Sequence, residues 1–465
     1  MTNKKLFDLS QLEWTLGGYT PTSWSGRSME MGFALEPEIP DIKARAPGSV
    51  QQALRDAGIL PDWFEGLNSR ACEWVENRDW LFSAKLPDTW FADGKRFVLR
   101  CGGLDGNGLI VFNRKKVATF DNAYIPYEVD LTAGVQATKN EIHFVFTLPP
   151  RWLGQVGFTS RMKDWKPRFN YTWDWIPRLV QIGPWEPISL CVSEGASIDS
   201  CRVRSDWNAD IQKGALWLQG ELAPEGAQDV QVQVTIDDGE KTVGAITLTP
   251  EAFTAGQDWD ALAVEPWWPN GAGEQKLYGL KIALTDSGGD ILDTAERTVG
   301  FKHVEWRACE NAPEGADPWV CVVNGTPVFL QGVDWTPIRP TFADLTREDY
   351  EQRITLYRDL GCNIFRVWGG AYLEKEWFYD LCDRLGLLVW QEFPLSSSGH
   401  ENWPHEDEPS MAVLVETARS YIHRRQHHAS LLMWCGGNEL QGSLDGSKVG
   451  IGKPVTMDHP LMQRW

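Results

Sequence analysis

A change of rhythm near residue 325 constrains this chain more than any other feature. Beyond it, strand-like and helix-like runs alternate: VFLQGV, Thr346 to Leu360, CNIFRVW, Glu374 to Leu385, LLVWQEF, Met411 to His427 and LLMWCGG. Such alternation specifies parallel βαβ units. Thr346 and Asp349 stand in a capping-box arrangement, and Gly361 and Gly386 occupy helix-stop positions. Met411, Leu414, Val415, Ala418, Tyr421 and Ile422 share one helical face. The second, third and fourth strands are nearly unbroken apolar runs, the pattern of strands covered on both faces. From Val328 to Trp465 there is room for about four strand-helix units, whereas a complete (β/α)8 TIM barrel takes roughly 250 residues. The expectation is the first half of such a barrel, in a chain cut within it.

Upstream the pattern is all β. Phe97 to Cys101, Gly108 to Phe112 and Ile142 to Phe146 read as strands, interrupted by one short helix that Ser49 caps, with Val50, Ala53 and Leu54 on one face and Gly58 as its stop. That combination predicts a jelly-roll β-sandwich. From Ile198 to Gly300 the period is two: Val230, Val232, Val234 and Ile236 alternate with Gln231, Gln233 and Thr235, and Leu280, Ile282 and Leu284 repeat the pattern. DDG at 237–239 and DSGG at 286–289 supply turns, so an immunoglobulin-like sandwich is expected. The fold class is therefore multidomain β plus α/β, with expected divisions at 1–195, 196–302 and 303–465.

Charge and composition remove other classes. With 44 Lys+Arg against 64 Asp+Glu the net charge is −20, which repels phosphate backbones and anionic headgroups. No run approaches the ~20 apolar residues of a membrane span. Neither nucleic acid nor membrane is an expected partner. The 25 Trp suit sugar faces, and they equally suit β-sandwich cores. Nine scattered Cys without C-x-x-C spacing read as reduced core residues of a cytoplasmic protein. The N-terminal MTNKKLFDLSQLEW has no apolar stretch of a secretory leader, and the sequons at Asn170 and Asn324 read as chance.

Active residues of βα barrels follow the strands' C-terminal ends. Asp334 and Trp335, Arg366 and Trp368, Gln391 and Glu392, and Asn438 and Glu439 hold those positions here. Glu439, after an apolar strand and two glycines, reads as a functional carboxylate or as a helix-start carboxylate favoured by the dipole. Arg366 is a site residue or an internal ion pair, Trp368 an aromatic wall or core. Asp174 in WDW, taken by itself, reads as a turn aspartate among core tryptophans. The 394–410 loop, with His400, Glu401, Trp403 and His405, reads as a solvated acidic lid or a second sugar subsite. RRQHH, with His423 nearby, reads as a solvated cationic helix end rather than a metal comb. The chain has no phosphate loop, G-x-S-x-G elbow or zinc signature, so no cofactor and no metal is expected.

WCGGNEL at 434–440, with NGTPVFLQGVDWTP at 324–337 and CNIFRVWGGAYLEKEWFYDLCDRLGLLVWQEF at 362–393, resembles glycoside hydrolase family 2, most closely its β-mannosidase-like branch. APGSVQQALRDAGILPDWFEG, RDWLF and YTWDWIPRLVQIGPWEPI resemble that branch's jelly-roll domain, and EPWWPNGAGEQKLY its sandwich domain. The resemblance implies a retaining exo-glycosidase acting on terminal β-linked sugars of an oligosaccharide or β-glycoside, most closely β-mannosides. It implies Glu439 as general acid/base, Asn438 on the sugar 2-hydroxyl, and Arg366 orienting the nucleophile. It further implies Trp173 and Asp174 on a loop reaching the barrel mouth, Trp368 as an aromatic wall, and lesser substrate roles for Trp335 and Asp334. The family's nucleophile follows the seventh barrel strand, so no residue here takes that role. GGNEL and the 394–410 loop depart from the branch's usual sequence. Glucosaminidase, galactosidase or glucuronidase specificity, or a non-catalytic carbohydrate-binding protein, remain alternatives. A half barrel exposes a sheet edge and apolar helix faces, which predicts self-association, a homodimer for instance.

Overall fold

Antiparallel pairing organises the first 190 residues. The computed structural model describes residues 3–29, 36–92, 94–154, 157–224, 229–396, 401–442, 453–454, 458 and 460–465. A four-stranded sheet orders Lys4–Asp8, Ile188–Ser193, Arg96–Cys101 and Tyr127–Asp130. It faces a six-stranded sheet ordered Ile39–Ala44, Trp14–Tyr19, Asp79–Lys85, Glu141–Phe146, Gly108–Phe112 and Lys115–Phe120. Trp14, Phe82, Phe112, Phe144, Leu99 and Leu190 fill the space between them. Ser49 caps the helix Val50–Asp56, its hydroxyl accepting from the Gln52 amide at 3.0 Å.

The next unit pairs Ser197–Asn208, Lys213–Ala223 and Gln257–Leu262 in one sheet. Thr242–Leu248, Val230–Asp237, Tyr278–Asp286 and Ile291–Val299 form the other. Val230, Val232, Val234 and Ile236 are buried while Gln231 and Gln233 are exposed, so the period-two pattern sets which face enters the core.

After a small antiparallel sheet comes the parallel one, whose strands are labelled β1 (Gly332–Trp335), β2 (Ile364–Val367), β3 (Leu388–Glu392) and β4 (Leu431–Cys435), in that spatial order. Helices α1 (Arg347–Asp359), α2 (Glu376–Leu385) and α3 (Glu408–Arg425) connect them. The expected capping box opens α1, and Gly386 closes α2 in the left-handed conformation. The first strand is shorter than VFLQGV implies. The Val328 amide bonds to Cys321, and the Asn363 side chain takes the Phe329 carbonyl and the Gln331 amide, so pairing begins only at Gly332. β2 and β3 are largely buried, but all five residues of β4 are half-buried, because among the described residues it pairs with β3 alone. No described helix is long and apolar enough to cross a membrane.

Polar groups seal the jelly roll onto the α/β unit. Lys166 and Asp105 form a buried ion pair, and Gln181 bonds Asp105, the Tyr372 hydroxyl and the Ala343 amide. The Lys375 ammonium donates to the Trp185 carbonyl. A buried network satisfied this fully holds one relative placement of two domains, since any shift strands a polar group. The 169–178 segment is thereby carried to the C-terminal ends of β1 to β4.

Candidate active site

Parallel register sets the site. Asp334 pairs opposite Arg366, and Arg366 opposite Trp390, while Glu392 lies two residues beyond Trp390 and so projects from the same face. Arg366 is the hub. Its Nε and Nη2 reach Glu392 Oε1 at 2.8 and 2.6 Å, Nη2 also donates to Asn438 Oδ1 at 2.5 Å, and Nη1 lies 3.2 Å from Asp334 Oδ1. The second Glu392 oxygen accepts the Gly369 amide at 2.8 Å. A Cβ at residue 369 would stand 2.4 Å from the Phe393 carbonyl oxygen, so only glycine brings that amide to the carboxylate.

Burial pushes the Glu392 carboxyl up from its ordinary pKa, against the opposing pull of Arg366. Asp334 is likewise raised, first by burial, with Arg366 opposing and Glu439 adding to the rise. Burial alone would lower the Arg366 pKa, yet Glu392 and Asp334 raise it. The guanidinium is thus a fixed cation between two carboxylates.

Glu439 is exposed and follows the buried Asn438 in a left-handed backbone conformation, φ +49. The buried Asn402 amide donates to the Glu439 carbonyl, and the Asn438 amide donates to the Leu395 carbonyl at 2.8 Å. These bonds hold a conformation that a non-glycine residue adopts at a cost of order 1–3 kcal/mol.

Aromatic rings from both domains meet beside this network. Trp173 and Trp175 stand edge-on to Trp368 at 5.1 and 6.0 Å, with Asp174 exposed between them. Trp173 and Trp368 are buried, and Trp175, 41% exposed, is the ring that faces outward.

Several sequence expectations need correction. Trp335 is core: its ring packs against Phe365, Phe378 and Tyr350, and its N–H donates to the buried Glu374 at 2.9 Å, which leaves it no sugar to touch. RRQHH is not a solvated end, since Arg425, His427 and His428 are buried against Glu376 and Asp383. Nor is the described part of the 394–410 loop a solvated lid. Glu401 pairs with Arg161 and accepts from Ser160, and the His405 ring lies buried against Trp165 with Nε2 at the Met162 carbonyl. His400 lies outside the described residues. Cys309 is exposed and Cys435 half-buried, so the core reading holds for the other seven. The glycine before Asn438 serves packing rather than ligand access: a Cβ on Gly437, φ +152, would meet the Leu395 carbonyl oxygen at 2.5 Å. Two residues of the cluster, Trp175 and Asn402, were not singled out by sequence, and Glu392 was noticed only as a strand-end carboxylate. Its place at the end of the strand that follows the Arg366 strand is the only sequence signal for it.

Comparison with known proteins follows the same division of the chain. Residues 30–186 match the glycosyl hydrolase 2 galactose-binding domain-like family, 196–302 the glycosyl hydrolases family 2 domain, and 319–451 the family 2 TIM barrel domain. The chain belongs to glycoside hydrolase family 2. Among family 2 relatives, Beta-mannosidase B of Thermothelomyces thermophilus is 27% identical over 431 residues, covering 86% of this chain and 48% of that protein. The crystal structure of Beta-D-Mannosidase from Dictyoglomus thermophilum superposes with a TM-score of 0.76 at 25% identity, over 93% of this chain and 52% of that one. Parabacteroides merdae Beta-Glucuronidase shares the fold, with a TM-score of 0.68 at 18% identity over 94% of this chain and 52% of that one. The chain spans about half the length of the relatives it matches.

Proposed function

We propose that this chain supplies the acid/base side of a retaining exo-β-glycosidase site acting on terminal β-mannosides. One observation carries the reading: Asn438 and Glu439 follow β4 on a segment tied by the Arg366 fork to β2 and β3, and Glu392 in that fork holds the amide next to Trp368, on which indoles of the jelly roll pack. In this reading Glu439 protonates the leaving glycosidic oxygen and then removes a proton from the attacking water. Asn438 bonds the 2-hydroxyl, a contact that strengthens as the ring approaches an oxocarbenium ion. Trp175, with Trp368 and Trp173 packed behind it, walls the glycone, and Asp174 accepts from its outer hydroxyls. The nucleophilic carboxyl, which must lie about 5–5.5 Å from the acid/base in a retaining site, is assigned to no residue of this chain.

Charge bears on which sugar fits. Glu392 and Asp334 together outnumber Arg366, so a uronic acid would bring its charge against a surplus of like charge. The same surplus suits an aminosugar, which makes β-glucosaminide the second reading. Seven buried free cysteines support work in a reducing, cytoplasmic setting.

The test compares p-nitrophenyl β-mannoside with its glucoside, galactoside, glucosaminide and glucuronide analogues. The protein is this chain, alone and with any natural coding sequence that continues past Trp465. Mannoside preference, abolished by Glu439→Gln, is the expected result. Preference for the glucuronide would overturn the charge argument, and activity that survives Glu439→Gln would overturn the acid/base assignment.

A further inference from the structure

We propose that Glu392 is a positioning residue that sets the specificity of the site for a sugar 2-hydroxyl, acting through Arg366 on Asn438. The proposal rests on the reading of Asn438 as the 2-hydroxyl contact.

Glu392 is 1% exposed, so it does not itself reach a ligand. Both its oxygens are engaged, one by the Arg366 Nε and Nη2, the other by the Gly369 amide. A carboxylate gripped along one edge of a guanidinium fixes the plane of that guanidinium, because the fork accepts few geometries. Arg366 Nη2, oriented in this way, donates to Asn438 at 2.5 Å. A guanidinium has no acceptor, so the Asn438 atom that meets it must be the amide oxygen. The ion pair therefore decides which end of the Asn438 amide is donor and which acceptor, and in this proposal the donor end serves the sugar 2-hydroxyl oxygen. Glu392 also holds the amide of Gly369, next to the Trp368 ring, so one buried carboxylate ties the ring wall and the amide contact into a single unit. Were Arg366 paired with Asp334 alone, a half-exposed partner at 3.2 Å, its plane would not be set.

Binding of a non-hydrolysable thio-β-mannoside and its 2-deoxy analogue, followed by tryptophan fluorescence of the full chain, tests this apart from turnover. The unaltered chain should prefer the 2-hydroxy ligand by about tenfold, the worth of one good hydrogen bond to a ligand. Glu392→Gln should abolish that preference while leaving affinity for the 2-deoxy ligand within about twofold, since the Gln oxygen can still accept the Gly369 amide and only the grip on the guanidinium, and with it the directed Asn438 amide, is lost. Arg366→Lys, which keeps a cation beside Glu392 but cannot fork to Asn438, should also abolish the preference, whatever it does to overall affinity, and serves if Glu392→Gln does not fold. An equal loss for both ligands would mean a general packing role and overturn the proposal. An unaltered chain that binds neither ligand, or both equally, would overturn the Asn438 reading and the proposal with it, whereas loss of preference in Asn438→Ala but not in Glu392→Gln would spare the reading and overturn the proposal alone.

Discussion

Gly437 shows how a single residue can be demanded by packing inside a candidate site. At φ +152 its missing side chain admits the Leu395 carbonyl, to which Asn438 then donates. Gly437→Ala should lower stability by about 1–3 kcal/mol, through an unfavourable backbone angle and a clash with a carbonyl that cannot retreat. Thermal unfolding beside the unaltered chain reads this directly; an unchanged midpoint would mean that the 436–439 turn yields easily. Asn438 and Glu439 owe their placement to this turn as much as to their own side chains. The resemblance of WCGGNEL pointed to the pair, but the reason for its second glycine needed the Leu395 backbone in view.

At the scale of elements, α2 and the segment after α3 are joined through His428. Its Nδ1 lies 2.7 Å from Asp383 and its Nε2 3.2 Å from Glu376, two turns apart on one helix. Burial alone would lower the His428 pKa, but these two carboxylates raise it to about 9, while burial takes its neighbour His427 down to about 4. A folded pKa above the unfolded value of about 6.5 gives stability that is fully present below pH 6.5 and lost as pH rises through 9. His428→Gln should therefore melt well below the unaltered chain at pH 6, by up to about 3 kcal/mol, and the gap should close toward pH 10. A gap that stays constant with pH would mean that shape, not charge, does the joining. Helix α2 was readable from the strand–helix alternation and from Gly386 as its stop. The burial of RRQHH was not, because Asp383 and Glu376 lie 45 and 52 residues earlier in the chain.

Across the whole molecule, the exposed apolar surface is uneven. Phe329, Leu356 and Leu360 are 83, 64 and 71% exposed around β1 and α1, one end of the parallel sheet. Exposed sheet ends and apolar helix faces seek partners. Light scattering at rising concentration should show this chain heavier than a monomer, and Leu356→Glu with Leu360→Glu should reduce the effect. A monodisperse monomer would show that these side chains are tolerated in water. The jelly roll is a different case: the Lys166, Asp105, Gln181 and Tyr372 network already satisfies its contact with the α/β unit.

The sequence by itself determined the elements whose signals are local. The alternation of Val230 to Ile236 marks one buried face, Thr346 with Asp349 caps α1, and the apolar runs of β2 and β3 predict two covered faces. Motif resemblance added the family and the candidate pair Asn438 and Glu439. Only the tertiary structure decided what depends on pairing between distant segments. Register placed Glu392 beside Arg366, turned Trp335 inward onto Glu374, and fastened the 401–407 segment to Ser160, Arg161 and Met162, more than 200 residues away. A carboxylate at a strand end looks the same in sequence whether it faces a ligand or a guanidinium; the neighbouring strand makes the difference.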